Sequence, residues 1–215
     1  MEKEAGYLVV ITGASGAGKD EVTKKLIERD ENRRKIITFT NRAMREGEIN
    51  GVDYNFVSTL EFEKMIEKNS LAEYVVYRQD INGNNEYKGT LRLDLENVLE
   101  GEKVIWRIDP TRAAETKDFL RGSLGREKGG LVAEKSLVVY VGVENLAVLK
   151  RRQEKREREK FSKEGFAKNL RNDWNNWLRF FDKYDLVVIN RDGELDKTAE
   201  EIEREIDFRF GIRKF

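Results

Sequence analysis

The stretch from residue 7 to residue 29 constrains this chain more than any other. Residues 7–12 (YLVVIT) form an unbroken, largely β-branched apolar run, the pattern of a central parallel strand buried on both faces. Gly13, Ala14, Ser15, Gly16, Ala17, Gly18 and Lys19 follow at once and fit G-x-x-x-x-G-K. Residues 20–29 (DEVTKKLIER) then place Val22, Leu26 and Ile27 on one helical stripe, with Asp20 and Glu21 in the first turn, where the helix dipole favours acids. In such a unit the glycines let the backbone curl so that successive N–H groups point inward at phosphate oxygens. The helix N-terminus adds positive potential, and the lysine reaches the outer phosphates. A glycine-rich turn alone is a modest signal. The strand before it and the helix after it make it a phosphate-binding loop, so residues 13–20 are the expected seat of ATP.

Asp20 departs from the pattern, whose last position is a Ser or Thr hydroxyl on the magnesium that bridges the outer phosphates. A carboxylate there either holds Mg2+ through a water, which magnesium readily keeps, or serves only as an acid in the first helical turn.

The remaining text is that of one α/β domain of 215 residues with a small inserted part. Residues 103–108 (KVIWRI), 136–143 (SLVVYVGV) and 186–190 (LVVIN) read as further buried strands, and residues 145–158, 166–182 and 195–208 as helices. Alternating strands and helices imply a doubly wound parallel sheet with its ligands at the carboxyl ends of the strands. Residues 35–58 break this rhythm with short strand-like pieces, KIITFT and YNFVS, around the charged AMREGEINGVD, and are expected outside the main sheet. A helix at 60–68, a strand at 71–77 and a polar hairpin turn at 82–85 follow.

Basic and acidic side chains number 41 each, so no global field draws nucleic acid or an anionic membrane, although residues 150–160 (KRRQEKREREK) hold seven bases against three acids. The chain has no Cys and no His, which excludes thiolate metal sites, cysteine nucleophiles and serine–histidine hydrolases. The apolar run near the N-terminus is too short for a signal-peptide core or a membrane span. The expected protein is cytoplasmic, a monomer or homodimer, with neither a nucleic-acid polymer nor a membrane as partner.

From Thr38 the chain reads Thr38-Phe39-Thr40-Asn41-Arg42-Ala43-Met44-Arg45 and continues through Gly47-Glu48, Gly51 and Asp53-Tyr54-Asn55-Phe56-Val57-Ser58. Two arginines three apart and a tyrosine hydroxyl can clamp a phosphate dianion by charge-assisted hydrogen bonds. This string closely resembles the acceptor region of guanylate kinases, S-x-T-T-R-x-x-R-x-G-E-x-x-G-x-D-Y-x-F-V-S. The resemblance runs through most of the chain and is weaker after residue 90.

It implies a P-loop kinase fold in which residues 1–37 and 91–215 form the core, residues 38–90 bind the acceptor, and residues about 150–165 form a helical lid. It also implies transfer of the terminal phosphoryl of ATP, with Mg2+, to GMP or dGMP. Lys19, Arg42, Arg152 and Arg156 are then the catalytic cations, and Asn190 contacts the adenine side. Thr38, Arg42, Arg45, Tyr54, Glu73, Lys88, Thr90 and Asp109 are then the acceptor-binding set. A carboxylate such as Glu73 can accept from both the N1–H and the 2-amino group of guanine, a donor pair that adenine lacks.

Three positions depart from the family pattern besides Asp20. Lys88 stands where the family has a phosphate-binding tyrosine, Arg107 replaces the first acid of D-I-D-x-Q-G, and the Gln-Gly pair after Asp109 is absent. For Asp109 the alternative is a cap on the following helix beside Pro110. For Asn190 it is a strand-end turn, and for each lid arginine a solvated helix face. The departures leave open a kinase of another small phosphate, and loss of catalysis would leave a module that binds phosphopeptides.

Overall fold

The chain is described by a computed structural model over residues 6–79 and 83–212. Residues 1–5 and 213–215 of the expected core, residues 80–82 of the expected acceptor-binding part and, with them, residue 82 of the expected turn lie outside the described residues.

The first half runs β1 (Tyr7–Gly13), α1 (Lys19–Arg29), β2 (Arg33–Lys35), β3 (Phe39–Thr40), β4 (Asn55–Phe56), α2 (Thr59–Glu67), β5 (Leu71–Gln79), β6 (Asn85–Leu91) and α3 (Arg92–Glu96). The second half runs β7 (Lys103–Arg107), α4 (Pro110–Ala114), α5 (Thr116–Ser123), α6 (Arg126–Glu134) and β8 (Ser136–Gly142). It ends with α7 (Leu146–Glu157), α8 (Lys163–Phe180), β9 (Leu186–Ile189) and α9 (Leu195–Phe210).

The core sheet has the order β2-β7-β1-β8-β9, and every pair in it is parallel. β1 is central and buried along its whole length because the sheet is covered on both sides, which is why its sequence is continuously apolar rather than alternating. Alternate residues still divide between the faces. Tyr7, Val9 and Ile11 pack with Val22 and Leu26 of α1 and Ile202 and Ile206 of α9. Leu8 and Val10 pack with Trp106, Ala113, Leu120 and Val132 on the opposite side.

A second, mixed sheet has the order β4-β3-β6-β5. β5 and β6 form its antiparallel hairpin, while β3 pairs antiparallel with β6 and parallel with β4. α2 enters through a capping box in which Ser58 and Glu61 satisfy each other's backbone N–H groups.

Three details differ from the sequence expectation. Lys35, expected with the pieces outside the main sheet, ends β2 on its edge beside β7, and β3 and β4 are two-residue strands in place of the longer pieces. Residues 110–134, to which sequence periodicity assigned no element, form α4, α5 and α6. Gly122, Gly125, Gly129 and Gly130 interrupt the apolar period there, yet Ala113, Leu120, Val132 and Ala133 reach the core from three short helices.

Candidate active site

The phosphate loop leaves β1 at Gly13, which has φ +141° and whose added Cβ would lie 2.1 Å from the carbonyl oxygen of Val141. Only a glycine lets β1 and β8 approach this closely at that backbone angle. Gly18 closes the loop in the left-handed region, φ 88°, as the N-cap of α1, and no side chain caps that helix. The first N–H groups of α1 are thus left to an incoming anion.

Lys19 folds back over the loop, its Nζ donating to the carbonyls of Gly13 and Ala14 at 2.8 Å each. Burial, and next the nearby Arg107 guanidinium, bring its pKa down to about 8, against the opposing pull of Asp173 and Asp20.

Asp173 of α8 gave no signal in the sequence. Its carboxylate accepts from the backbone N–H of Ser15 at 3.2 Å, so an anionic group already sits on one donor of the loop. Burial holds its pKa above the usual carboxylate value despite that hydrogen bond and the charge of Lys19. Gln153 of α7 is a second residue missed: its side-chain amide donates to the Ser15 carbonyl at 2.7 Å. These contacts join residues 158 and 138 positions apart, which only the fold could reveal.

The expected lid arginines gather at the same loop. Arg152 donates to the carbonyls of Ala17 and Asn190 at 3.1 and 3.0 Å and pairs with Asp192 at 2.8 Å. Arg156 reaches the Ser15 hydroxyl at 3.3 Å and Glu157 at 2.8 Å. Asn190, expected on the adenine side, is buried, and its amide donates to the Ala17 carbonyl at 2.9 Å, bracing the loop. Asp20 is exposed, and its carboxylate pairs with Arg107 at 2.7 Å. Among the described residues no group of three or more His, Cys, Asp or Glu side chains could hold a metal, and Asp20, expected as a water-mediated magnesium ligand, is a carboxylate that lines the cleft at the loop beside Glu21.

The loop opens on a cleft of about 1280 Å³ that is also lined by Thr38, Tyr54, Glu73, Lys88 and Asp109. Arg42 is 5% exposed and salt-bridged to Glu48 at 2.7 Å, with its guanidinium over the rings of Tyr54 and Phe56 at 5.4 and 5.5 Å. Lys88 donates to the Tyr54 hydroxyl at 3.2 Å and lies over the Tyr54 and Tyr77 rings. Arg42, Tyr54 and Lys88, expected to bind one phosphate, therefore cluster, with Tyr54 and Lys88 lining the cleft and Arg42 behind Tyr54 on Glu48; Arg42, Arg45 and Thr90 are not among the lining residues. Arg45 is exposed, and its backbone N–H donates to Glu48 at 2.7 Å.

Glu73 accepts from the buried Thr90 hydroxyl at 3.1 Å, and burial raises its pKa even though Thr90 and Arg112 favour the anion. Asp109 caps α4, accepting from the Arg112 N–H at 3.1 Å, and also lines the cleft. Chemically the cleft offers a phosphate cradle with an ammonium on one wall and an aromatic, cationic corner on the other. That is suited to joining two phosphates rather than to acid–base hydrolysis.

A family model described as guanylate kinase matches residues 5–117. A guanylate kinase of Caldanaerobacter subterraneus subsp. tengcongensis is 32% identical over 203 residues, covering 93% of this chain and 86% of the relative. One of Halalkalibacterium halodurans is 31% identical over 214 residues, covering 95% and 94%. The crystal structure of a guanylate kinase from Anaplasma phagocytophilum superposes with a TM-score of 0.62 at 24% identity, covering 97% of this chain and 88% of that one.

Proposed function

The chain belongs to the guanylate kinase family, and from that premise we propose that it transfers the γ-phosphoryl of ATP to GMP or dGMP. The observation that carries the reading is the single cleft that joins the phosphate loop to Glu73 and to the corner around Tyr54 and Lys88. Residues 38–90 act as the acceptor-binding part and residues about 150–165 as the lid. The loop N–H groups from Gly13 to Lys19, the uncapped start of α1 and Lys19 take the triphosphate. Arg42, Arg45, Tyr54 and Lys88 hold the monophosphate, and Thr38, Glu73, Thr90 and Asp109 line the base.

Glu73 supplies the choice of base. Its carboxylate accepts from adjacent N–H donors of guanine, and an acceptor without them leaves the half-buried carboxylate with the Thr90 hydroxyl and without those two donors. No general base is required, since the acceptor phosphate is already an anionic nucleophile. Catalysis is alignment together with neutralisation of charge by Lys19, Arg42, Arg152 and Arg156. Asp20 would hold a magnesium carried by ATP through one of its waters, and the metal would draw charge from the outer phosphates. ATP must also displace the Asp173 carboxylate from the Ser15 N–H.

A coupled assay of ADP production with GMP, dGMP, AMP, UMP and ribose bisphosphate tests the reading. Turnover with GMP or dGMP at least about a hundredfold above AMP is the expected result. Turnover confined to a non-guanine acceptor, or phosphopeptide binding with no transfer, would overturn it.

A further inference from the structure

Arg107 is not explained by the site described so far, since an acid occupies its place in the family pattern. It ends β7 in register with Ile11 of β1, two residues before the phosphate loop begins. The preceding Trp106 points into the core, 1% exposed, so the alternation of the strand sends Arg107 the other way, into the cleft. One nitrogen alone, Nη1, binds Asp20, at 2.7 and 2.9 Å from its two carboxylate oxygens. Among the described residues Nε and Nη2 have no hydrogen-bond partner, which leaves one edge of the guanidinium as a free donor pair. An exposed pair of this kind contributes little to folding. It also stands close enough to Lys19 to help depress that amine's pKa. Two cations beside the phosphate loop favour an anion between them.

We propose that Arg107 is a further catalytic residue, a guanidinium that donates to the phosphoryl group in transit between the phosphate loop and the acceptor, with Asp20 as the positioning residue that holds it there. The proposal rests on the kinase reading above. In the step it assists, an oxygen of the acceptor monophosphate forms a bond to the γ-phosphorus. The bond from that phosphorus to the β–γ bridging oxygen breaks, and ADP leaves with the electron pair. No proton need move. Arg107 hydrogen-bonds to equatorial oxygens whose charge rearranges most in the transition state, so its effect falls on kcat.

Steady-state kinetics with ATP and GMP on the full chain test this, using Arg107→Ala, Arg107→Lys, Asp20→Ala and the double variant Asp20→Ala/Arg107→Ala. Arg107→Ala should lower kcat by about 10²- to 10³-fold, with KM for either substrate within about threefold. Millimolar guanidinium should restore at least about fivefold of the loss, and lysine should restore part of it. The combined loss in the double variant should fall short of the product of the two single losses, because Asp20 acts in part through Arg107.

An Arg107→Ala kcat within about threefold of the unmodified protein overturns the proposal. So does a loss that neither guanidinium nor lysine relieves, which would mark a structural role. Absence of GMP-dependent turnover in the unmodified chain is a different failure, that of the kinase reading itself.

Discussion

ATP binding should draw a proton from solvent onto Lys19. In the free protein this amine has a pKa of about 8, because it is part-buried and lies near Arg107. A bound triphosphate places several negative charges beside it, which returns its pKa to 10.5 or above. The lowered value belongs to the free state and the raised one to the complex, so the complex holds more protons throughout the window between them. Uptake should therefore be about 0.1 proton per ATP at pH 7, about 0.5 at pH 8 and about 0.9 at pH 9. By the same linkage, affinity is greatest below pH 8 and weakens about tenfold, about 1.4 kcal/mol, between pH 7 and pH 9. Isothermal titration calorimetry in buffers of different ionisation enthalpy measures the uptake directly. Lys19→Arg, whose guanidinium does not titrate in this range, should abolish it. Uptake near zero at pH 8 and 9, or unchanged uptake in the arginine variant, would refute the reasoning.

Replacing Asp173 with Ala removes the carboxylate that ATP must displace from the Ser15 N–H, so ATP should bind about three- to tenfold more tightly by calorimetry. Gly18→Ala would force a side chain to φ 88° with its Cβ 2.3 Å from the Asn190 amide nitrogen. It should cost about 1–3 kcal/mol in denaturant unfolding and weaken ATP binding at least about tenfold. Glu73→Gln should lower kcat/KM for GMP by about 10²-fold or more while leaving thermal stability within about 2 °C, as read by coupled assay and melting curves.

The parts of the fold legible in the sequence were those with one dominant cause. β1, β7, β8 and β9 lie in a sheet covered on both sides and so announced themselves as apolar runs, and the phosphate loop followed from glycines that its backbone demands. Helices α4 to α6 were not legible. Each is at most nine residues long, and glycines break the period of α5 and α6, so burial of a few side chains by the finished core decides their conformation.

The same contrast holds at the site. Lys19, Arg42 and Tyr54 were read from contiguous motifs, whereas Asp173 and Gln153 act on the loop from helices more than a hundred residues away in sequence. Asn190 and Arg152 were found as residues, but their engagement with the Ala17 carbonyl could not be inferred from spacing. The pairing of Asp20 with Arg107 joins two departures from the family pattern that looked unrelated in sequence.

Direct transfer between two bound phosphates is tested most simply with ATP labelled on its γ-phosphoryl group. Incubated with the protein, magnesium and GMP, the label should appear in the β position of GDP, with release as inorganic phosphate slower by at least about a hundredfold. Transfer should be lost in Lys19→Ala. Label released to water at a comparable rate, or no labelled GDP at all, would contradict the central claim.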